Sequence, residues 1–348
     1  CFKMSSTSIL ANKEKTTQLL QQADYSVYNN ISSKLEMCFE LFARHDTPTN
    51  FPTLLIKLVE NIDIIKPSFM HELKLLSRFL SALPLIIGIE NRHDLLKDDC
   101  LFIRKGLISI NMNTFSRIIK NNQLPLAIAK KGGFFVDIDG EKLIQLRKNK
   151  NYSRNDLAEK LKVSAKAILN YEKNEMRTST EHAQHLEEIL GDSIQVPMNT
   201  FEYINQSITD FSINPQMQRK ISARNRELMN TINEIVEDTG YQTYWTRTSP
   251  FDLFIYREND DATKIEDYTL IGGTMGEKKY QKPTHDTKIN FLKNTKNSTG
   301  TTGIMICDDE NLNVKQVKQE RVPYIVIKEL KILDDPKKFK KLIKTRKN

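Results

Sequence analysis

The chain has 348 residues, 39% of them hydrophobic, and a net charge of +8 at pH 7, so it can form two or three compact domains and favours a polyanionic partner. No stretch approaches the roughly 18 consecutive apolar residues of a membrane-spanning helix, and the N-terminus lacks the apolar core of a signal peptide. The four cysteines lie far apart without a CxxC pair, which favours reduced thiols in a cytoplasmic protein without a bound cofactor over a disulfide framework or a zinc site.

The first region of the chain ends near Asn122 and mixes helical and strand patterns. Its predicted elements are a helix (10–22), two strands (39–44 and 53–59), a helix (68–81), two strands (83–89 and 101–110) and a helix (113–120). A predicted hairpin follows, with strands 124–129 and 134–138 joined by Lys130-Lys131-Gly132-Gly133.

A purely helical pattern then runs from Glu141 to Leu190. Pro197 and the polar run 205–218 predict a linker after it. The predicted domains are therefore an N-terminal α/β domain (1–123), a hairpin linker (124–140), a helical domain (141–195), a second linker (196–220) and a C-terminal α/β domain (221–348).

The last region repeats the order of elements in the first. A helix followed by Tyr25-Ser-Val-Tyr28 corresponds to a helix followed by Tyr241-Gln-Thr-Tyr244, and Phe39-Glu-Leu-Phe42 corresponds to Phe251-Asp-Leu-Phe254. The apolar runs 53–57, 85–87 and 106–110 have counterparts at 269–272, 304–306 and 322–327, and an amphipathic helix ends each copy (115–120 and 339–344). This pattern predicts a duplicated α/β domain with the helical block inserted between the copies.

The helical block has the pattern of a helix-turn-helix between Ser153 and Lys173. Ser153 is a predicted N-cap with Asp156 one turn later, and Ser164 caps the next helix. Ala158 is the small residue that a close helix crossing requires. The residues predicted to face the core are Leu157, Leu161, Val163, Ile168 and Tyr171. This arrangement leaves one face of the last helix free to enter a major groove.

The free face of the last helix carries the candidate base contacts. They are Ala165, Lys166 and Asn170, with Ser164 at the leading end. Segment 141–177 has ten Lys or Arg residues against five Asp or Glu residues, so positive charge lies where phosphates would be. The further candidate DNA contacts are Lys148, Lys150 and Lys173. The alternative interpretation is an amphipathic insert whose lysines are only solvated.

The pattern Leu-x-x-Leu-Arg, then Ser-Arg-x-x-Leu-Ala-x-x-Leu-x-Val-Ser, then Ile-x-x-Tyr-Glu resembles the helix-turn-helix of the Cro and phage-repressor type. With segment 130–143 and the flanking α/β region, the chain resembles archaeal HTH-type transcriptional regulatory proteins, clearly over 15–195 and more loosely beyond. The resemblance implies that Arg154 contacts the DNA backbone or a base edge, while Ser164 to Lys166 and Asn170 probe the groove. It also places a glycine in the turn where this chain has Lys162, so we predict a left-handed lysine that costs about 1 kcal/mol.

The order of elements in the duplicated domain resembles the PD-(D/E)xK nuclease fold. Such a nuclease needs an Asp on one strand and Glu-x-Lys on the next, to hold magnesium and activate water. Glu40 and Asp252 occupy the first position in the two copies. Lys57 is a candidate for the lysine, but Leu55 stands where the second acid belongs, and the second copy has leucine and glycine at the two equivalent positions (270 and 272). We therefore expect two non-catalytic copies, no metal site and no enzymatic activity.

Together these patterns predict an α+β multidomain fold, with a central all-α helix-turn-helix domain flanked by two related α/β domains of a degenerate nuclease-like type. The predicted function is transcriptional regulation, with helix 164–173 reading double-stranded DNA in the major groove. The alternatives are a metal-dependent nuclease and a nuclease-derived protein-interaction scaffold. One helix-turn-helix reads only about half a turn of DNA, so we expect a homodimer on a pseudo-palindromic site. No membrane partner is expected, and the operator, the sign of regulation and any effector stay open.

Overall fold

The computed structural model describes most of the chain between residues 4 and 346. The described residues are 4–29, 37–45, 52–209, 226–238, 240–258, 265–273, 288–293, 303–307, 317, 319–326, 328–329, 332, 338, 341–342 and 345–346. They form two compact units: residues 1–25, 56–65 and 83–210 make up the first, and residues 26–55, 66–82 and 211–348 the second. Within the described residues, no helix is long and apolar enough to cross a membrane.

The helices and strands alternate along the chain. In order they are α1 (Met4–Gln22), β1 (Tyr25–Asn29), β2 (Leu41–His45), β3 (Leu54–Asn61), α2 (Pro67–Leu80), β4 (Leu83–Glu90), β5 (Cys100–Arg104), β6 (Leu107–Ile110), α3 (Met112–Asn121), β7 (Ala127–Lys130), β8 (Gly133–Ile138), α4 (Gly140–Asn149), α5 (Arg154–Leu161), α6 (Ala165–Glu172), β9 (Thr178–Ser179), α7 (Thr180–Leu190), β10 (Gln195–Val196), α8 (Thr200–Thr209), α9 (Arg226–Glu237), β11 (Gln242–Trp245), β12 (Leu253–Glu258), β13 (Ile265–Gly273), β14 (Ile304–Cys307) and β15 (Tyr324–Val326).

The first unit joins a mixed sheet to the helical block. Its strands follow the order β3-β4-β6-β5-β7-β8-β10. β4 runs parallel to β6 and β5 parallel to β7, whereas β5–β6 and β7–β8 are antiparallel. On the edge of β8 away from β7, β9 pairs with residues 135–136 and β10 with residues 137–138. A single strand, β8, therefore belongs to both the sheet and the helical block.

Three element predictions differ from the structure. The predicted strand 101–110 is a hairpin, because Lys105 and Gly106 both have positive φ and form a tight turn between β5 and β6. The helical block is interrupted by the short strand β9. The polar run 205–218 begins inside α8, and its residues from 210 onward, like most of the predicted helix 339–344, lie outside the described residues.

The sheet of the second unit confirms the predicted repeat. Its order is β11-β12-β13-β14-β15, with antiparallel pairing through β13 and parallel pairing from β13 to β15. In the N-terminal repeat the strand order is β1-β2-β3-β4-β6. Both repeats thus place their first five equivalent strands in the same order, and β5 is the extra strand that extends the first repeat towards β7 and β8.

Aromatic side chains from both repeats form the core of the second unit. The ring of Phe79 in α2 stacks on Phe254 with centroids 4.0 Å apart. Phe291, in the helical segment 288–293, stacks on Phe251 and also contacts the ring of Phe39 at 5.9 Å. The second unit is therefore built from distant parts of the chain, which bury these rings together.

A buried carboxylate in α2 holds a loop of the C-terminal repeat. Glu72 accepts hydrogen bonds from the backbone N–H of Arg247, the N–H of Thr248 at 2.7 Å and the hydroxyl of Ser249 at 3.0 Å. Burial raises the pKa of Glu72, and these hydrogen bonds oppose that rise. They supply the partners that a buried acid requires.

Candidate nucleic-acid interface

Helices α4, α5 and α6 enclose a small apolar core that matches the predicted one. The buried side chains are Leu143, Leu157, Ala158, Leu161, Ile168 and Tyr171, and Val163 is partly buried against them. Leu186 and Leu190 of α7 and Ile138 of β8 complete this cluster. Because one side of α6 packs into the core, its opposite side faces outward.

Two serine caps set where α5 and α6 begin. The hydroxyl of Ser153 accepts from the N–H of Asp156 at 3.1 Å, and the Asp156 carboxylate accepts from the Ser153 N–H at 2.6 Å, which completes the predicted capping box. The hydrogen bonds from Ser153 lower the pKa of Asp156. The hydroxyl of Ser164 accepts from the Ala167 N–H at 3.1 Å. Both caps confirm the sequence prediction.

The turn between α5 and α6 has the predicted left-handed residue. Lys162 has φ 58° and ψ 41°, and its N–H donates to the carbonyl of Glu159. The N–H of Val163 donates to the carbonyl of Ala158 at 3.0 Å, which closes the end of α5. The chain thus reverses within two residues at the energetic cost of one lysine in a conformation that glycine prefers.

The start of α4 lies directly against the end of α6. A Cβ atom at Gly140 would be 2.2 Å from the carbonyl oxygen of Glu172, so no other residue fits there without movement of the backbone. The N–H of Gly140 donates to the side-chain oxygen of Asn174 at 2.9 Å. This close approach fixes α6 relative to α4 and β8.

Glu172 is a buried acidic residue of this site that was not predicted from the sequence. Its carboxylate is only 1% exposed and accepts from the Nε of Arg147 and the Nε of Arg154, each at 2.6 Å. Arg147 also donates to the carbonyl of Tyr152 at 2.9 Å. A signal was present, because Glu172 follows Ile168 by four residues and therefore lies on the buried face of α6.

The predicted contact residues fall into two groups around this core. Those on α6 and its ends are Ser164, Lys166 and Lys173, which are exposed, Asn170, which is partly exposed, and Ala165, which was predicted on the free face but packs partly buried against the apolar core. Those on α4 and α5 are the exposed Lys148 and Lys150 and the 46%-exposed side chain of Arg154. The spacing of Lys166, Asn170 and Lys173 places them on one side of α6.

A second network ties the helical block to the sheet. Arg177 donates two hydrogen bonds to the carboxylate of Asp137 in β8, one from Nε at 2.7 Å and one from Nη2 at 3.2 Å. The hydroxyl of Tyr203 in α8 donates to the same carboxylate at 3.2 Å. The segment after α6 is therefore fixed to β8 by a bidentate ion pair as well as by strand pairing.

The residues at the predicted nuclease positions can be located in the described parts of the two repeats. Asp252 is buried, and its carboxylate lies 2.6 Å from the ammonium of Lys288. In the pairing of β12 with β13, Leu253 lies opposite Ile271. Continuing this antiparallel register by one residue brings Gly272 across from Asp252. In the N-terminal repeat Leu55 is fully buried where the second acid would be. No cluster of three His, Cys, Asp or Glu side chains able to hold a metal occurs in the part of the chain that the structure describes.

Comparison with known proteins agrees with both parts of this architecture. A family described as PD-(D/E)XK superfamily domain matches residues 11–125, and one described as helix-turn-helix matches residues 143–195. No solved structure matches the chain.

Curated relatives match over nearly the whole length. A protein of Methanothermobacter thermautotrophicus is 30% identical over 310 residues, which is 89% of each chain. A protein of Thermococcus gammatolerans is 27% identical over 298 residues, 86% of each chain, and one of Archaeoglobus fulgidus is 28% identical over 247 residues, 71% of this chain and 74% of the relative. Each bears the name "Putative HTH-type transcriptional regulatory protein". The chain belongs to this archaeal family, as its resemblance predicted.

Proposed function

We propose that this protein regulates transcription by sequence-specific binding to double-stranded DNA, with α6 reading the major groove. The observation that carries the proposal is the outward side of α6, where Lys166 and Asn170 lie opposite the buried Ile168 and Tyr171. An asparagine amide can pair with the adenine edge and a lysine with the guanine edge in that groove. Membership in the HTH-type family supports the DNA-binding part of the proposal.

The cations around α6 suit contacts with the phosphate backbone. Lys148 and Lys150 extend from the end of α4, and Lys173 follows α6. Arg154 is held by its Nε on the Glu172 carboxylate, so its guanidinium has a fixed orientation at the surface. Such phosphate contacts position the protein, whereas Lys166 and Asn170 would supply the choice of sequence.

The proposal includes a homodimer on a pseudo-palindromic site. One copy of α6 has eight residues and reaches only a few base pairs. Two copies would double both the sequence read and the phosphate contacts, which specific binding at physiological salt requires. Light scattering of the protein with its selected DNA tests this, and a complex with one chain per DNA would contradict it.

The decisive experiment begins with selection of bound sequences from a random DNA pool at physiological salt. The Lys166→Ala/Asn170→Ala variant is then expected to bind the selected and scrambled sequences equally and weakly, with its salt dependence retained. The matched control is Lys148→Ala/Lys150→Ala, which should weaken both sequences alike and reduce the slope of log K against log salt by about 2. An unchanged preference in Lys166→Ala/Asn170→Ala would refute α6 as the reading helix.

A nuclease is the second candidate, because the PD-(D/E)XK family matches residues 11–125. We infer no cleavage, since leucine stands at the predicted position of the second acid in both repeats, Leu55 and Leu270. Incubation of plasmid DNA with magnesium or manganese tests this inference. Cleavage that disappears in Glu40→Ala or Asp252→Ala would establish the nuclease instead.

A further inference from the structure

The C-terminal repeat contains a buried ion pair at the position of the nuclease's first acid. The side chains of Asp252 and Lys288 are 8% and 7% exposed, and Oδ2 lies 2.6 Å from Nζ. Fully buried apolar side chains lie beside both residues, among them Phe251, Leu253 and Phe291. A carboxylate in such surroundings requires a compensating positive charge.

The position of Lys288 is fixed by close packing of its helical segment. Leu292 of segment 288–293 packs closely against Gly303. A Cβ atom built at Gly303 would be only 2.1 Å from the leucine side chain. Ile289 and Phe291 of the same segment are buried. Lys288 therefore reaches Asp252 from a closely packed helical segment.

Where β13 pairs with the start of β12, its sequence is Leu270-Ile271-Gly272-Gly273, which carries no carboxylate. The β12–β13 register pairs Leu253 with Ile271, and Asp252 comes directly before Leu253 as Gly272 comes directly after Ile271. A divalent ion held by one protein carboxylate would be weakly bound. An ammonium group needs only one carboxylate partner, so the local residues suit a lysine better than a metal.

We propose that the ammonium of Lys288 acts as a built-in cation for Asp252. It provides the positive charge that a divalent metal provides in an active PD-(D/E)xK site. The C-terminal repeat is accordingly a metal-independent copy whose former acid has become part of its core. This inference does not depend on DNA binding by α6.

Thermal unfolding of the full-length protein tests the pair. Lys288→Met keeps the side-chain volume but removes the ammonium that lies against the buried Asp252 carboxylate, and it should lower Tm by roughly 5–10 °C. Adding Asp252→Asn to that variant should restore at least half of the loss, because the buried carboxylate charge is removed as well. Lys293→Met is the matched control on the same segment: Lys293 pairs with Glu320 at the surface, so its Tm should change by about 1 °C or less.

The second arm of the test uses the wild-type protein and requires no variant to fold. Tm should be the same in EDTA, in millimolar magnesium chloride and in millimolar manganese chloride. A manganese-dependent rise in Tm that Asp252→Asn lacks would overturn the proposal and identify a metal site. A double variant no more stable than Lys288→Met would also overturn it, because Lys288 would then act through packing rather than charge.

Discussion

The Glu172 carboxylate stabilises the helix-turn-helix by neutralising a cation that is largely buried. Arg147 is only 11% exposed, and its Nε donates to Glu172 at 2.6 Å. The substitution Glu172→Gln keeps the shape of the side chain but removes its charge. The Arg147 guanidinium is then buried without a counter-charge, although it keeps its hydrogen bond to the Tyr152 carbonyl.

The expected loss follows from the exposure of the two arginines. Leaving a buried charge unpaired costs about 3–5 kcal/mol, whereas the half-exposed Arg154 contributes at most about 1 kcal/mol. The Glu172→Gln variant should therefore open α6 more readily by about 3–5 kcal/mol. At 1.36 kcal/mol per factor of ten, the amide hydrogens of α6 would exchange about 10² to 10⁴ times faster.

Native-state hydrogen exchange on α6 is the assay, with two comparisons. Glu175→Gln is the control, because Glu175 pairs with Lys173 at 4.0 Å on an exposed surface and should change exchange less than about threefold. Arg154→Ala should have a much smaller effect than Glu172→Gln. Exchange in Glu172→Gln within about fivefold of wild type would refute the reasoning, since Arg147 would then be compensated by another route.

Three further predictions concern a turn, a close contact and a titration. Lys162→Gly should raise the stability of the helix-turn-helix by about 0.5–1 kcal/mol, since φ is 58° there; slower exchange of the α5 amides would verify it, and faster exchange would contradict it. Gly140→Ala should lower Tm and weaken DNA binding, because its Cβ would meet the Glu172 carbonyl oxygen at 2.2 Å; an unchanged Tm would show that α4 can shift at no cost. Burial and then the charge of Lys74 lower the pKa of His71 to about 4, so its neutral form stabilises the fold fully above about pH 6.5, and that contribution is lost as the pH falls towards 4. The urea midpoint should therefore fall less between about pH 7 and pH 5 in His71→Gln than in wild type. An equal fall in both proteins would exclude His71 as a cause of the loss of stability.

The helix-turn-helix could be predicted almost residue by residue because its signals are local. Ser153, Asp156 and Ser164 act on amides within three residues of themselves, and each cap occurs in the structure as predicted. Lys162 was predicted to be left-handed because the helix-turn-helix proteins that the chain resembles have glycine at this position of the turn. The repeated order of elements was also predicted, and the equivalent strands of the two repeats have the same order in their sheets.

Pairs that are distant in sequence could not be predicted in this way. Glu72 lies 176 residues from Thr248, and Asp252 lies 36 from Lys288, so no periodic pattern connects the partners. Glu172 and Arg147 are separated by 25 residues and meet only because α4 and α6 pack together. The turn at Lys105 and Gly106 was overlooked for a different reason, since the apolar residues on both sides read as one continuous strand.

The pairing of β8 with β10 has a consequence for how such a chain can arise. Gln195 lies opposite Ile138, and the N–H of Asp139 donates to the carbonyl of Ile194 at 2.8 Å, so the helical block begins and ends at neighbouring backbone positions. A segment whose two ends already meet replaces a surface loop at little extra cost in chain entropy, since that cost grows only slowly with loop length. An α/β domain can therefore carry a helical block of this length at a small cost in chain entropy.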